Sequence, residues 1–205
     1  MCIRDSNGST TTAGIIANKT KMTWETKSGT QKANYFGSMT QASTSRLGGH
    51  GANCTDVYVP FSSLLPMVNP NDIVVGGWDI SKTNLADAMK RAKVLDMTLQ
   101  EKLRTHMQGM TPLPSVYYPD FIAANQEERA DNVIPGESKK AHLEHIRNDI
   151  RNFKIANNLD TVVVLWTANT ERFASVQSGV NDTADNLMAA IEANEPEVAP
   201  STIFA

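Results

Sequence analysis

Residues able to do chemistry gather in a few short stretches of this sequence. Asn7, Gly8, Ser9, Thr10, Thr11 and Thr12 stand together just ahead of Ala13, Gly14, Ile15, Ile16 and Ala17. A polar turn feeding a helix offers backbone N–H groups, hydroxyls and the positive end of a helix dipole, which is the chemistry that binds phosphate. A capped surface helix accounts for the same residues equally well. Asp79 ends the apolar run Ile73-Val74-Val75-Gly76-Gly77-Trp78. A carboxylate there can accept hydrogen bonds from ribose hydroxyls, or it can serve a turn or cap the helix starting near Asn84. An ordinary dinucleotide-binding unit sets its acidic residue about 20 residues after its glycine turn. Asp79 lies far beyond that, so the ribose reading requires a long insertion.

Thr167-Ala168-Asn169-Thr170 follows a second apolar run. Small side chains there let a planar ring approach the backbone, with Asn and Thr as donors and acceptors; a strand-to-helix turn with its cap is the alternative. Gln126, Glu127, Glu128 and Arg129 read on pattern alone as a solvated helix end. His142 and His145 are three apart and could face one side, but no third ligand at metal-site spacing accompanies them, so no metal is expected. The sequence holds no nucleophile elbow, Walker loop or HExxH motif.

The elements that must position these groups are legible in part. The chain around Asn7 to Lys19 is expected to be that polar turn and its helix. Trp24 to Arg46 is rich in Ser, Thr, Gln, Gly and Lys and reads as loop and short helix. Asp56 to Val68 reads as a short strand and a buried, irregular connector, and Asn69-Pro70-Asn71-Asp72 as a turn. Ile73 to Trp78 and Thr161 to Trp166 have the composition of strands buried on both faces. Helices are expected over Asn84 to Leu95, Leu99 to Gln108, Phe121 to Arg129 (short), Glu137 to Asn157 and Thr183 to Asn194. Three prolines keep Thr111 to Asp120 extended or looped. Buried strands alternating with amphipathic helices predict an α/β fold with a mainly parallel sheet. Ligands of such sheets sit beyond the carboxyl ends of the strands, which singles out Asp79-Ile80-Ser81 and Thr167 to Thr170.

The 205 residues suffice for one domain, or one and part of another. Hydrophobic residues at 40% and charged residues at 20% support a sizeable core and argue against wholesale disorder. A net charge of −3 without a basic stripe makes nucleic acid a poor partner. No apolar run approaches the length of a membrane span, and no secretory signal is visible. Cys2 and Cys54 are expected to be free thiols in a reducing compartment. The sequons at Asn18, Asn53 and Asn181 then read as chance matches.

Several longer segments carry a resemblance. They are Asn7 to Gly14, Ala33-Asn34-Tyr35-Phe36-Gly37-Ser38-Met39-Thr40-Gln41-Ala42-Ser43, Leu64 to Pro70 and Gly76-Gly77-Trp78-Asp79-Ile80-Ser81. Further on come Asp120-Phe121-Ile122-Ala123-Ala124-Asn125-Gln126, Val164-Leu165-Trp166-Thr167-Ala168-Asn169-Thr170-Glu171-Arg172 and Pro200-Ser201-Thr202. In their order and spacing they resemble the myo-inositol-1-phosphate synthase (inositol-3-phosphate synthase) family, the eukaryotic type most closely, from Asn7 to Ala205.

The resemblance implies a Rossmann-like NAD-binding domain, here without its first strand. Met1 to Ser6 are read as a non-native scar standing where that strand belongs, and residues 7–205 as a partial domain ending before the catalytic and oligomerisation domain. The implied activity is NAD-dependent isomerisation of D-glucose 6-phosphate to 1D-myo-inositol 3-phosphate, by oxidation at C5, aldol closure of C6 on C1, and reduction. The lysines that stabilise the developing oxyanions belong to a later part of the family's chain, so no catalytic residue is expected here. Cofactor binding carries over: Asn7, Gly8 and Ser9 as the tail of the glycine-asparagine loop, and Asp79 at the adenosine ribose. Ser115, Val116, Gln126 and Arg129 match the adenosine and pyrophosphate side, and Thr167, Ala168, Asn169 and Thr170 the nicotinamide side. The family's long insertion after its first helix accounts for the spacing of Asp79. A cytoplasmic homo-oligomer, a tetramer, is implied, with no nucleic-acid or membrane partner. The alternative is a catalytically inactive dinucleotide-binding fragment.

Overall fold

The computed structural model describes residues 6–51, 53–122, 125–168 and 170–204. Asn169, among the expected site residues, lies outside them, as do Met1 to Asp5. The chain is mixed α/β and contains parallel strand pairing.

Helix α1 spans Ser6–Lys19 and so absorbs the stretch expected to form a polar turn before it. The hydroxyls do not prevent this, because Thr12 Oγ1 donates back to the Gly8 carbonyl at 2.8 Å and is satisfied on the helix itself. Its buried residues, Gly8, Ser9, Thr12, Ala13 and Ala17, are all small. That lets α1 lie close against α3 (Leu85–Ala92) and α4 (Met97–Met107). Ala13 and Ala17 join Leu85, Ala86, Met89, Leu99, Leu103 and Met107 in one core cluster. Helix α3 starts where expected, with Asn84 Oδ1 accepting from the Asp87 N–H at 3.0 Å. It stops short of Leu95 because Lys93 takes up the left-handed conformation that ends helices, at φ 54°.

Between α1 and the sheet the chain makes two hairpins, which supply the insertion that the position of Asp79 requires. Strands β1 (Thr23–Thr26) and β2 (Gly29–Lys32) pair antiparallel, followed by the single-turn helix α2 (Met39–Ala42). Strands β3 (Thr44–His50) and β4 (Thr55–Pro60) form the second hairpin. Of the loop and short helix expected over Trp24 to Arg46, the short helix is α2, while strands β1, β2 and the start of β3 correct the rest. These strands expose most side chains, so they lack the apolar alternation that marks a strand in sequence. Trp24 is the exception: it packs on the α1–α3–α4 core and donates Nε1–H to Asp96 at 2.9 Å. The connector after β4 is less buried than its composition suggests, with Leu64 42% and Leu65 53% exposed.

Strand β5 is Trp78–Asp79, parallel to β6 (Leu113–Pro114), with Trp78 opposite Leu113 and Asp79 opposite Pro114. Ser115 continues the pattern by bridging in parallel to Val133. The two apolar runs form less strand than expected. Among the described residues only the end of the first is paired, and 161–166 carries no strand pairing. Ile73, Val74, Val163, Val164 and Leu165 are 41–78% exposed. An apolar run records the surface a strand is built to bury, and pairing also needs neighbours on either edge.

Helix α5 (Lys139–Ala156) is capped by Ser138 and packs behind β5. Asp149 accepts from Trp78 Nε1 at 2.8 Å. A Cβ added at Gly76 would lie 2.6 Å from Phe153 Cε2, so the glycine permits this approach. Helices α6 (Ala184–Glu192, capped by Thr183) and α7 (Pro200–Phe204) complete a second cluster of Leu143, Ala190, Ile191, Val198 and Ile203. The short helix expected over Phe121 to Arg129 is replaced by 3-10 turns at Pro119–Phe121 and Glu127–Arg129. Ile122 instead bridges antiparallel to Glu171, and Asn125 Oδ1 accepts from the Glu127 N–H, which closes a turn locally.

Candidate functional site

A cleft opens just past the carboxyl ends of β5 and β6. Ile80 follows β5 and Ser115 follows β6, and both line it. This is where open α/β sheets bind ligands. Its open volume is about 600 Å³, solvent mouth included.

Of the expected residues, Ser115, Val116, Gln126 and Ala168 line this cleft. Arg129 stands behind Gln126, donating Nη1–H to Gln126 Oε1 at 2.6 Å. Its Nε is buried with no partner, and so is the hydroxyl of Thr167 beside Ala168. A buried polar atom left unpaired costs about 1–3 kcal/mol; neither Arg129 nor Thr167 is among the residues that line the cleft, and each is next to or bonded to one that does. Thr170 is exposed and does not line the cleft.

Asp79 is 1% exposed and sits one residue before the cleft wall. Its Oδ1 accepts from the Ser81 N–H at 3.0 Å, so it does serve the turn after β5. Its carbonyl accepts from Asn132 Nδ2 at 3.0 Å. Asn7, Gly8 and Ser9 occupy the first turn of α1, Asn7 exposed and the others buried.

Sequence reading missed Tyr117, Tyr118, Ile122, Trp166, Glu171 and Pro200, which complete the wall. The side chains that hold this wall are sequence neighbours of Thr170. Arg172 donates Nη1–H and Nη2–H to the two oxygens of Glu197 at 3.1 and 2.8 Å. Its Nε–H reaches the Asp120 carbonyl at 3.0 Å, and its guanidinium lies 4.5 Å from the Phe121 ring centroid. Glu171 accepts from the Ser201 N–H at 3.0 Å and from its hydroxyl at 2.8 Å. Glu171 and Arg172 thus tie their segment to 120–122 on one side and to α7 on the other. The two histidines do not share a ligand: His142 is buried against Tyr118, while His145 faces Asp149 at 3.7 Å.

The Arg172 hydrogen bond holds the Glu197 carboxyl below the usual range. Its folded-state pKa is lowered, so its contribution is present above the unfolded value of about 4.5 and is lost as pH falls through the folded value. Acid is therefore expected to speed amide exchange across Glu171 to Phe173, after correction for intrinsic rates. Glu197→Gln should remove that acid-dependent part; an unchanged acid response in the variant would show that the clasp contributes nothing.

A family model described as myo-inositol-1-phosphate synthase, an NAD-binding domain, matches residues 2–205. Inositol-3-phosphate synthase 1 of Oryza sativa subsp. japonica is 60% identical over 200 residues, covering 98% of this chain and 39% of that protein. Inositol-3-phosphate synthase of Dictyostelium discoideum is 58% identical over the same shares. The crystal structure of inositol-3-phosphate synthase from Caenorhabditis elegans superimposes with a TM-score of 0.94 at 55% identity, covering 98% of this chain and 39% of that one. The chain therefore spans 39% of the length of these relatives. A match over nearly the whole sequence, on a backbone this similar, places the chain in the myo-inositol-1-phosphate synthase family as its NAD-binding domain, with NAD as the cofactor.

Proposed function

We propose that the protein carrying this chain converts D-glucose 6-phosphate to 1D-myo-inositol 3-phosphate, and that residues 7–205 form its partial NAD-binding domain. The observation that carries the reading is the cleft beyond β5 and β6, with unpaired polar atoms on Arg129 and Thr167 in its surround. The residues present fit the dinucleotide. Asn7, Gly8 and Ser9, near the amino end of α1, are assigned to the phosphate side, where the helix dipole favours an anion. The Asp79 carboxylate suits ribose hydroxyls, and Ser115 and Val116 suit the adenosine. Arg129, braced by Gln126, suits the pyrophosphate. Thr167, Ala168, Asn169 and Thr170 are assigned to the nicotinamide side, with Ala168 on the cleft wall. Bound NAD supplies a hydride acceptor and then a donor, with no net consumption. This chain's own work is to hold the dinucleotide in one orientation and to shield it from water. The oxyanion-stabilising lysines, the substrate phosphate site and the assembly into a cytoplasmic tetramer are assigned to the remainder of the protein.

The same reading places one more strand in the sheet, between the Gly76 to Trp78 segment and the Val162 to Trp166 segment. Both segments are apolar, partly exposed and largely without ladder partners among the described residues. The chain by itself then presents open sheet edges and is expected to aggregate or lose cooperativity. That favours a second reading, an inactive dinucleotide-binding fragment, for the 205-residue chain alone.

The deciding experiment compares inositol phosphate formation from glucose 6-phosphate plus NAD by this chain and by a chain of the relatives' full length containing it. Product from the long chain alone supports both parts of the proposal. Product from the short chain would place a catalytic centre within it, and product from neither would confine the proposal to cofactor binding.

A further inference from the structure

One buried polar atom has no role in the site so far. Among the described residues three buried side-chain polar atoms lack a hydrogen-bond partner: Arg129 Nε, Thr167 Oγ1 and His142 Nε2. The first two belong to candidate cofactor residues. His142, on α5, is 3% exposed. Its other ring nitrogen, Nδ1, lies 2.7 Å from the Tyr118 hydroxyl. Tyr118 lines the cleft.

The unpartnered Nε2 decides where the protons sit. A buried N–H with no acceptor is rarer in folded proteins than a buried acceptor with no donor. A charged ring would bury an unpaired N–H at Nε2, and so would the neutral tautomer protonated there. The favoured state is the neutral ring protonated at Nδ1 alone. Nδ1–H then donates to Tyr118 Oη. The Tyr118 proton cannot point back at Nδ1 and must turn to another acceptor. The phenol keeps that proton, since burial pushes its pKa up to about 12.

We propose that Tyr118 is a further binding residue of the cleft: its hydroxyl, held by His142 Nδ1–H, donates to an acceptor on the adenosine half of NAD, beside Ser115 and Val116. His142 is the positioning residue. The proposal rests on the reading of this cleft as the NAD site.

The test is NADH binding, by fluorescence titration, to a full-length protein containing this chain. Tyr118→Phe is expected to weaken binding about fivefold to tenfold, the loss of one neutral hydrogen bond. His142→Asn sets an amide donor near the place of Nδ1 and should stay within about twofold of the parent, while His142→Leu should match Tyr118→Phe. The double variant Tyr118→Phe/His142→Leu should bind no more weakly than either single one, because both remove the same interaction. Ring-nitrogen NMR shifts, assigned by the signal lost in His142→Asn, should show the proton on Nδ1. Unchanged affinity in Tyr118→Phe, equal losses in the Asn and Leu variants, or a proton on Nε2 would each overturn the proposal. An unsubstituted protein that fails to bind NADH would instead overturn the cofactor reading beneath it.

Discussion

Replacing Asp79 with alanine is expected to weaken NAD binding roughly 10- to 100-fold, from the 1.5–3 kcal/mol typical of a hydrogen bond to a charged group. A carboxylate that is 1% exposed is expensive to keep unless it makes strong hydrogen bonds. Parallel pairing of β5 with β6 sets it directly opposite Pro114, one residue from Ser115 on the neighbouring strand. The next residue on its own strand, Ile80, is already cleft wall. Asp79 also organises the turn through Ser81, so alanine can lower stability as well as affinity. Asp79→Asn separates the two effects. Its side-chain oxygen can still accept from the Ser81 N–H, but the negative charge and one acceptor are gone. Affinity measured by titration calorimetry should fall in both variants of the full-length protein, and the melting temperature mainly in the alanine one. Loss of stability with undiminished affinity would confine Asp79 to the turn.

How much of this was legible in the sequence depends on how local each cause is. The caps at Asn84, Ser138 and Thr183 are made by side chains within three residues of the N–H they satisfy, and the helices they start lie near their expected positions. The β1–β2 hairpin was not legible, because only Trp24 and Thr26 of β1 are even partly buried and β2 is exposed throughout. The Thr161 to Trp166 run shows the opposite failure: its composition reads as a buried strand, while its pairing depends on neighbours that the run itself does not encode. The site divides in the same way. Asp79 and the segment after Trp166 are singled out as the ends of expected strands, of which only the first is paired at its end among the described residues. Ser115, Val116, Gln126 and Arg129 came from family resemblance alone. Tyr118 and Glu171 escaped both routes, since the cleft wall is closed by the bridge of Ile122 to Glu171, a contact between segments far apart in the chain.

The largest expected loss of stability comes from Leu103→Ala. Leu103 is 0% exposed on α4 and belongs to the core cluster whose buried members from α1 are Ala13 and Ala17, with Ile16 packed against it. Small residues on α1 bring the helices close, so the larger side chains of α3 and α4 must fill the space between them. Leu103 and Met107 are the members of that cluster with no exposed surface at all. Truncation removes buried methyl groups and leaves a cavity that close-packed helices cannot collapse, at a cost of about 2–5 kcal/mol. That is a large share of a typical domain's stability. Amide exchange of peptides from α1, α3 and α4 in the full-length protein measures the loss locally. Leu47→Ala, at a side chain 62% exposed on β3, is the control and should change little. Affinity for NAD should also fall in Leu103→Ala, though by less than in Asp79→Ala, because the same cluster holds α1, which carries Asn7, Gly8 and Ser9 of the proposed phosphate side. Exchange in α1 as slow as in the control would mean that α1 is held from elsewhere, and the link between this core and the phosphate end of the site would fail.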